Sequence, residues 1–146
     1  MHQVETRWSQ AQPLAREQVL QGQLQPWQHV QVMAQVSGRV ENLARQQGDQ
    51  VSAGDVLLEL SDEGRSKQLA QARASYRLRQ TELESTRKLR ASNYATETEI
   101  VRLEGELARA AAELEAAELG VQYSQPIAPF DGVVDRRHVE VGGLVQ

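Results

Sequence analysis

The strongest constraint on this chain is that it repeats itself across a long gap. Laying Gly38 on Gly132, 94 residues further on, also pairs Val40 with Val134, Glu41 with Asp135, Gly48 with Gly142 and Val51 with Val145. In both copies two glycines lie ten residues apart, with valine two after the first and three after the second. Chance supplies one or two such pairs; five in one register argue for an internal duplication. Each copy holds too few strands for a core, so the two are expected to bury their apolar faces against each other. Whatever separates them is then an insertion into one small β domain.

The first copy, residues 35–61, reads as short strands and turns. Val36-Ser37-Gly38-Arg39-Val40 is one strand and Val56-Leu57-Leu58-Glu59-Leu60 another, with Gly48-Asp49 and Ser52-Ala53-Gly54-Asp55 between them. Gly-Asp pairs supply the positive φ of tight turns. Gly38, Gly48, Gly54, Gly132 and Gly142 are therefore assigned to structural turns and not to a ligand. Asp49, Asp55 and Asp131 adjoin glycines and read as turn chemistry. The second copy, residues 123–146, stops at Val145-Gln146 before the equivalent of Val56–Leu58, so it is expected to be truncated, with further chain supplying the strand.

The insertion, residues 62–122, has a different character. It lacks proline, and Ala, Leu, Glu, Arg and Gln dominate, all good helix formers. Ile100, Leu103, Leu107, Ala110, Leu114, Ala117 and Val121 recur at steps of three and four, a heptad seam for a helix packed on a partner. Leu69, Ala72, Tyr76, Leu83 and Thr86 form a weaker seam, interrupted by Arg79. Between them lies Ala91-Ser92-Asn93-Tyr94-Ala95, followed by Thr96-Glu97-Thr98-Glu99, which matches a capping box at a helix start. Two helices joined by a short connection make an antiparallel hairpin, each arm about 40 Å long at ~1.5 Å per residue. The fold class is thus α+β: a β-sandwich of two duplicated halves interrupted by a long coiled-coil hairpin.

Residues 1–34 are glutamine-rich, and polar/apolar alternation in 19–24 and 29–33 predicts half-buried strands. With the second copy one strand short, 1–34 is expected to belong to an incomplete neighbouring β-barrel. Trp8 and Trp27 would pack in its core, or lie exposed where that barrel is incomplete.

Composition narrows the function. A net charge of −4 gives no reason to expect a nucleic-acid partner. Zero cysteine excludes disulfides, thiolate zinc sites and a Cys nucleophile. No apolar run approaches the ~20 residues of a membrane span, and Met1-His2-Gln3-Val4-Glu5 does not open a signal peptide. His2, His29 and His138 are scattered, without metal-ligand spacing or a Ser-His-Asp grouping, so no catalytic, cofactor or metal site is expected.

The arrangement resembles the periplasmic adaptors, or membrane fusion proteins, of Gram-negative efflux and secretion systems. The resemblance covers about residues 30–146. It rests on Val36–Val40, on the run from Gly48 to Leu57, and on Ile127-Ala128-Pro129-Phe130-Asp131-Gly132-Val133-Val134, in that order around a helical hairpin. It implies a split lipoyl-like domain, not an enzyme and without cofactor. It further implies a periplasmic subunit anchored to the inner membrane that links an inner-membrane transporter to an outer-membrane channel. Self-association into a ring, trimeric or hexameric, is implied as well. In many adaptors of proton-driven pumps the hairpin tip carries Arg, then Leu four residues on, then Ser seven after that. Leu89 stands at the Leu position, Ser85 where Arg would be and Thr96 where Ser would be; Arg87 is the nearby alternative cation.

Two other readings compete. An adaptor of an ABC-type secretion exporter would share every feature above. A lipoyl or biotinyl carrier would share the β fold, but it presents its modified lysine on a tight turn between the halves. Here some sixty helical residues replace that turn, and the only lysines, Lys67 and Lys88, lie within helical sequence.

Overall fold

A computed structural model describes residues 2–11, 13 and 17–146. The chain divides into two units, Met1–Val30 and Gln31–Gln146. In the first unit the described residues are exposed and carry no helix or strand. The strands expected over 19–24 and 29–33 do not form, and Trp8 and Trp27 lie exposed. Alternation creates a strand only where a ladder partner takes up the backbone groups and a second layer covers the apolar face. No described residue provides either to these segments.

The second unit runs β1 (Gly38–Leu43), β2 (Gln50–Val51), β3 (Leu58–Leu60), α1 (Arg65–Ala91), α2 (Glu97–Gln122), β4 (Gly132–Val133) and β5 (Leu144–Val145). One sheet has the order β3-β1-β5 and a second pairs β2 with β4, all antiparallel. The pairing crosses between the repeated segments. Gly38 lies opposite Val145 and Arg39 opposite Leu144; shifted by 94 residues, Gly132 lies opposite Val51 and Val133 opposite Gln50. Hydrogen bonds repeat in the same way. Gly142 N–H donates to Val40 C=O and Gly48 N–H to Val134 C=O, both at 2.8 Å. The first strand of each segment thus pairs with the second strand of the other. Val40, Leu60 and Ala128 are buried between them.

Gly48, Gly54 and Gly142 adopt φ near +90°, the left-handed region in which a side chain is strained. Gly38 and Gly132 correct the turn assignment: each opens a strand, β1 and β4. At Gly38 the physical requirement is closeness. A Cβ there would stand 3.3 Å from the Leu60 Cβ across the ladder.

The helices leave the sheets through a tight junction. Glu63 and Gly64 both have positive φ. Asp62 Oδ1 accepts from the Ser66 N–H at 2.9 Å and its hydroxyl at 2.8 Å, satisfying the start of α1. The same bonds, with the Ser66 hydroxyl foremost, hold the Asp62 carboxyl below the usual carboxylate range.

α1 and α2 pack antiparallel, as four cross-helix ion pairs show: Arg73–Glu118, Arg79–Glu106, Arg87–Glu104 and Arg90–Glu97. Leu83, Ile100 and Leu103 form the buried cluster, with Leu107 packed against it. Arg79 falls at the seam position between Tyr76 and Leu83. It is half-buried and bonds Glu82 at 2.8 Å on its own helix and Glu106 at 3.1 Å across the seam. Those two carboxylates, Glu82 first, raise the Arg79 pKa.

Candidate functional site

The far end of the helix pair is closed by a short, hydrogen-bonded turn. Tyr94 N–H donates to Leu89 C=O at 3.0 Å and Asn93 N–H to Arg90 C=O at 2.8 Å, while Asn93 takes a positive φ of 63°. Asparagine tolerates that conformation, which is why the chain reverses here. Thr96 is the N-cap of α2: its hydroxyl accepts from the Glu99 N–H at 3.2 Å. Only half of the expected capping box forms. The Glu99 carboxylate turns to Arg102, with a 2.6 Å contact, and that bond lowers its pKa. Lys88 and Arg90 close α1, while Glu97 and Glu99 open α2. Each pair complements the partial charge of its helix end.

The four expected tip residues are not gathered on one face. Leu89, in the last turn of α1, is 52% exposed. Thr96 lies across the turn, engaged in its cap. Ser85 is exposed one turn below Leu89 and lines a shallow groove with Thr86, Glu99 and Leu103. Arg87 bonds Glu104 at 2.7 Å and so directs its guanidinium toward α2. It therefore does not restore a free cation at Ser85. The residue that sequence reasoning passed over is Tyr94, 83% exposed at the apex. An aromatic inside a capped reversal, where nothing can bury it, was the available signal.

The remaining chemistry-bearing residues hold turns. Asp49 Oδ2 accepts from Gln46 N–H at 2.7 Å, Asp55 Oδ2 from Ser52 N–H at 3.1 Å, and Asp131 Oδ1 from Ala53 N–H at 2.7 Å. Asp55 also meets Arg45 at 3.0 Å; the Ser52 bond first, and then the guanidinium, hold its carboxyl low. Among the described residues no three His, Cys, Asp or Glu side chains gather as a metal site would require. Among the described residues no helix is long and apolar enough to cross a membrane.

The described residues thus form two small sheets carrying an exposed, capped pair of antiparallel helices. Residues 28–146 match the model of the CzcB-like, barrel-sandwich hybrid domain, and the chain belongs to that family, among the membrane fusion proteins. It is 28% identical over 130 residues to the multidrug resistance protein MdtA of Yersinia enterocolitica, covering 80% of this chain and 29% of that protein. It is 37% identical over 93 residues to the pyoverdine export membrane fusion protein PvdR of Pseudomonas putida, covering 54% and 24%. Among solved structures, a MacA-MexA chimera containing the Pseudomonas aeruginosa MexA α-hairpin domain superposes with a TM-score of 0.75. The identity is 27%, covering 80% of this chain and 42% of that one. The chain therefore spans under a third of the length of these two relatives.

Proposed function

We propose that this chain is the hairpin-bearing part of a periplasmic adaptor in a tripartite efflux pump. In this reading the native protein is anchored to the inner membrane. It links an inner-membrane transporter to an outer-membrane channel, with the hairpin tip meeting the channel and copies of the adaptor arranged in a ring. Residues 35–61 and 123–146 are the two halves of a lipoyl-like β-sandwich, and 62–122 are the hairpin inserted between them. The chain does not catalyse; it connects and seals.

The observation that carries the reading is the apolar side chain of Leu89 held exposed on a rigid, capped tip, with Tyr94 beside it at the apex. Exposed apolar anchors framed by polar neighbours are what a partner surface buries. A single copy would bind weakly, and a ring would multiply the contact. An adaptor of an ABC-type exporter uses the same geometry, so the driving force of the pump is left to the transporter. A lipoyl carrier is disfavoured because Lys67 and Lys88 both lie on α1 and not at a turn.

The test is Leu89→Asp in the full-length protein, with efflux complementation and far-UV circular dichroism measured together. Loss of efflux with unchanged helicity supports tip docking. Retained efflux by a correctly folded variant removes Leu89 from the docking surface.

A further inference from the structure

α1 opens against its own electrostatics. A helix start carries partial positive charge and favours carboxylates, as α2 does with Glu97 and Glu99 in its first turn. The first turn of α1 holds no acidic residue; it begins with Arg65, and Lys67 follows. Its N-cap position falls on Gly64, which has no side chain to cap with, and Glu63 before it takes a positive φ of 48°. A residue other than glycine stays in the left-handed region only where its surroundings hold it there.

The Arg65 guanidinium turns back from the helix onto three backbone carbonyls. Nη1 donates to Ser61 C=O at 2.7 Å and to Asp62 C=O at 3.3 Å, and Nη2 donates to Ser37 C=O. Ser61 follows β3 and Ser37 precedes β1. One half-buried planar fork therefore joins the chain entering the sheet, the chain leaving it and the first residue of α1. α2 is attached differently. Leu60 N–H donates to Ser124 C=O at 2.8 Å and Leu57 N–H to Pro126 C=O at 2.9 Å, so the segment after α2 runs straight into main-chain bonds with β3 and its lead-in. The Ser124 hydroxyl donates to Val121 C=O at 2.6 Å and ties that segment to the last turn of α2. Among the described residues, main-chain bonds hold α2 to the sheet, and one guanidinium holds α1.

We infer that Arg65 is a strap: it fixes the angle at which α1 leaves the sheets and couples that angle to the course of the chain before β1. With the fork released, α1 joins β3 only through Asp62, Glu63 and Gly64, and a glycine at such a junction absorbs large changes of φ and ψ. The bonds at Ser124 and Pro126 persist, so the freed helix pair pivots about the exit of α2 and stays attached. With the fork in place, a displacement of Ser37 is carried to the base of α1, and a displacement of the helices is carried to Ser37. A charged fork on three carbonyls also explains why an arginine stands at a helix start that disfavours it. The inference rests on the junction alone and holds whatever the tip binds.

The chain has no cysteine, so introduced thiols carry spin labels at chosen sites. Ser92→Cys/Gln50→Cys marks the reversal of the helix pair against β2, and Gln35→Cys/Lys67→Cys marks the chain before β1 against the first turn of α1. All four positions are exposed. Double electron–electron resonance on the full chain should give narrow distance distributions for both pairs, and broader, shifted ones with Arg65→Ala. Arg65→Lys keeps the stem and the charge but loses the fork. It should broaden both distributions as well, and it carries the test where circular dichroism shows Arg65→Ala unfolded. Asp62→Ala removes the Ser66 bonds without touching the fork and should leave both distributions narrow. A Ser92–Gln50 distribution already broad with Arg65 in place, or still narrow in folded Arg65→Ala, would overturn the strap. Equal broadening by Asp62→Ala would assign the angle to the helix cap and overturn it too. A broadened Ser92–Gln50 pair beside an unchanged Gln35–Lys67 pair would overturn the coupling.

Discussion

Asp131 accepts a 2.7 Å hydrogen bond from the backbone N–H of Ala53, 78 residues earlier in the chain. One carboxylate from the second repeated segment thus completes a turn of the first. Beside it, Gly54 N–H donates to Ala128 C=O and Ala128 N–H to Asp55 C=O, both at 2.8 Å. The two segments are stitched together at the level of individual turns, on opposite sides of a sixty-residue excursion.

Asp131→Ala should lower unfolding stability by about 1 kcal/mol, the scale of a charge-assisted bond to an amide at an accessible site. Asp131→Asn keeps an acceptor oxygen and should lose less. Urea unfolding followed by far-UV circular dichroism measures both; equal losses would mean that the charge, and not the acceptor, sustains the turn.

Thr96→Ala removes the cap acceptor of α2 and should cost about 1 kcal/mol, with Thr96→Ser recovering most of it. Because Glu99 is committed to Arg102, Glu99→Gln should leave the cap intact. Amide exchange in the first turn of α2 resolves the difference: Thr96→Ala speeds exchange of the Glu99 amide, and Glu99→Gln does not.

The Asp55 carboxyl titrates below its ordinary value of 3.8, through the Ser52 amide first and Arg45 second. A depressed folded pKa means that the stabilisation is complete above the unfolded value and is lost as pH falls through the folded one. The urea midpoint should therefore hold between pH 7 and pH 5 and decline below about pH 4. Asp55→Asn should flatten part of that decline while lowering the plateau. An unchanged acid limb in the variant would assign the decline to other carboxylates, Asp62 first among them.

Gly38 and Gly132 occupy equivalent places in the repeat but should respond differently to substitution. At Gly38 a Cβ presses on Leu60 at 3.3 Å, while at Gly132 it would meet the Phe130 ring at an ordinary 3.5 Å. Gly38→Val should cost about 1–3 kcal/mol as an overpacked site. Gly132→Ala should stay within ~0.5 kcal/mol, as at sites away from such crowding. Thermal melts of the two variants check the order.

Heptad spacing made Ile100, Leu103, Leu107 and Ala110 legible as a packing face, because helix periodicity is a local property of the chain. Arg79 looked like a break in the opposite seam. It sits in register with that seam and is accommodated by Glu82 and Glu106. Glu106 lies 27 residues away, and no spacing rule nominates it. The segments 19–24 and 29–33 carry no strand for a related reason: alternation reports which face is apolar, not whether a partner exists to pair with it.

The tip was only partly legible. Thr96 could be placed at the start of a helix from its own neighbours, and Leu89 near the end of the preceding one. That Arg87 is directed to Glu104 and that Tyr94 stands at the apex depend on how the two helices meet.

By itself the sequence determined the 94-residue repeat, the helical nature of the insertion and the point of its reversal, since each follows from residue types within one or two turns of chain. Only the tertiary structure decided that the first strand of each repeated segment pairs with the second strand of the other, and that Asp131 completes the turn at Ala53. It also decided which charges pair across the two helices. Those outcomes depend on side chains and backbone groups brought together across tens of residues, where closure entropy and packing select the partner and local pattern carries no record of the choice.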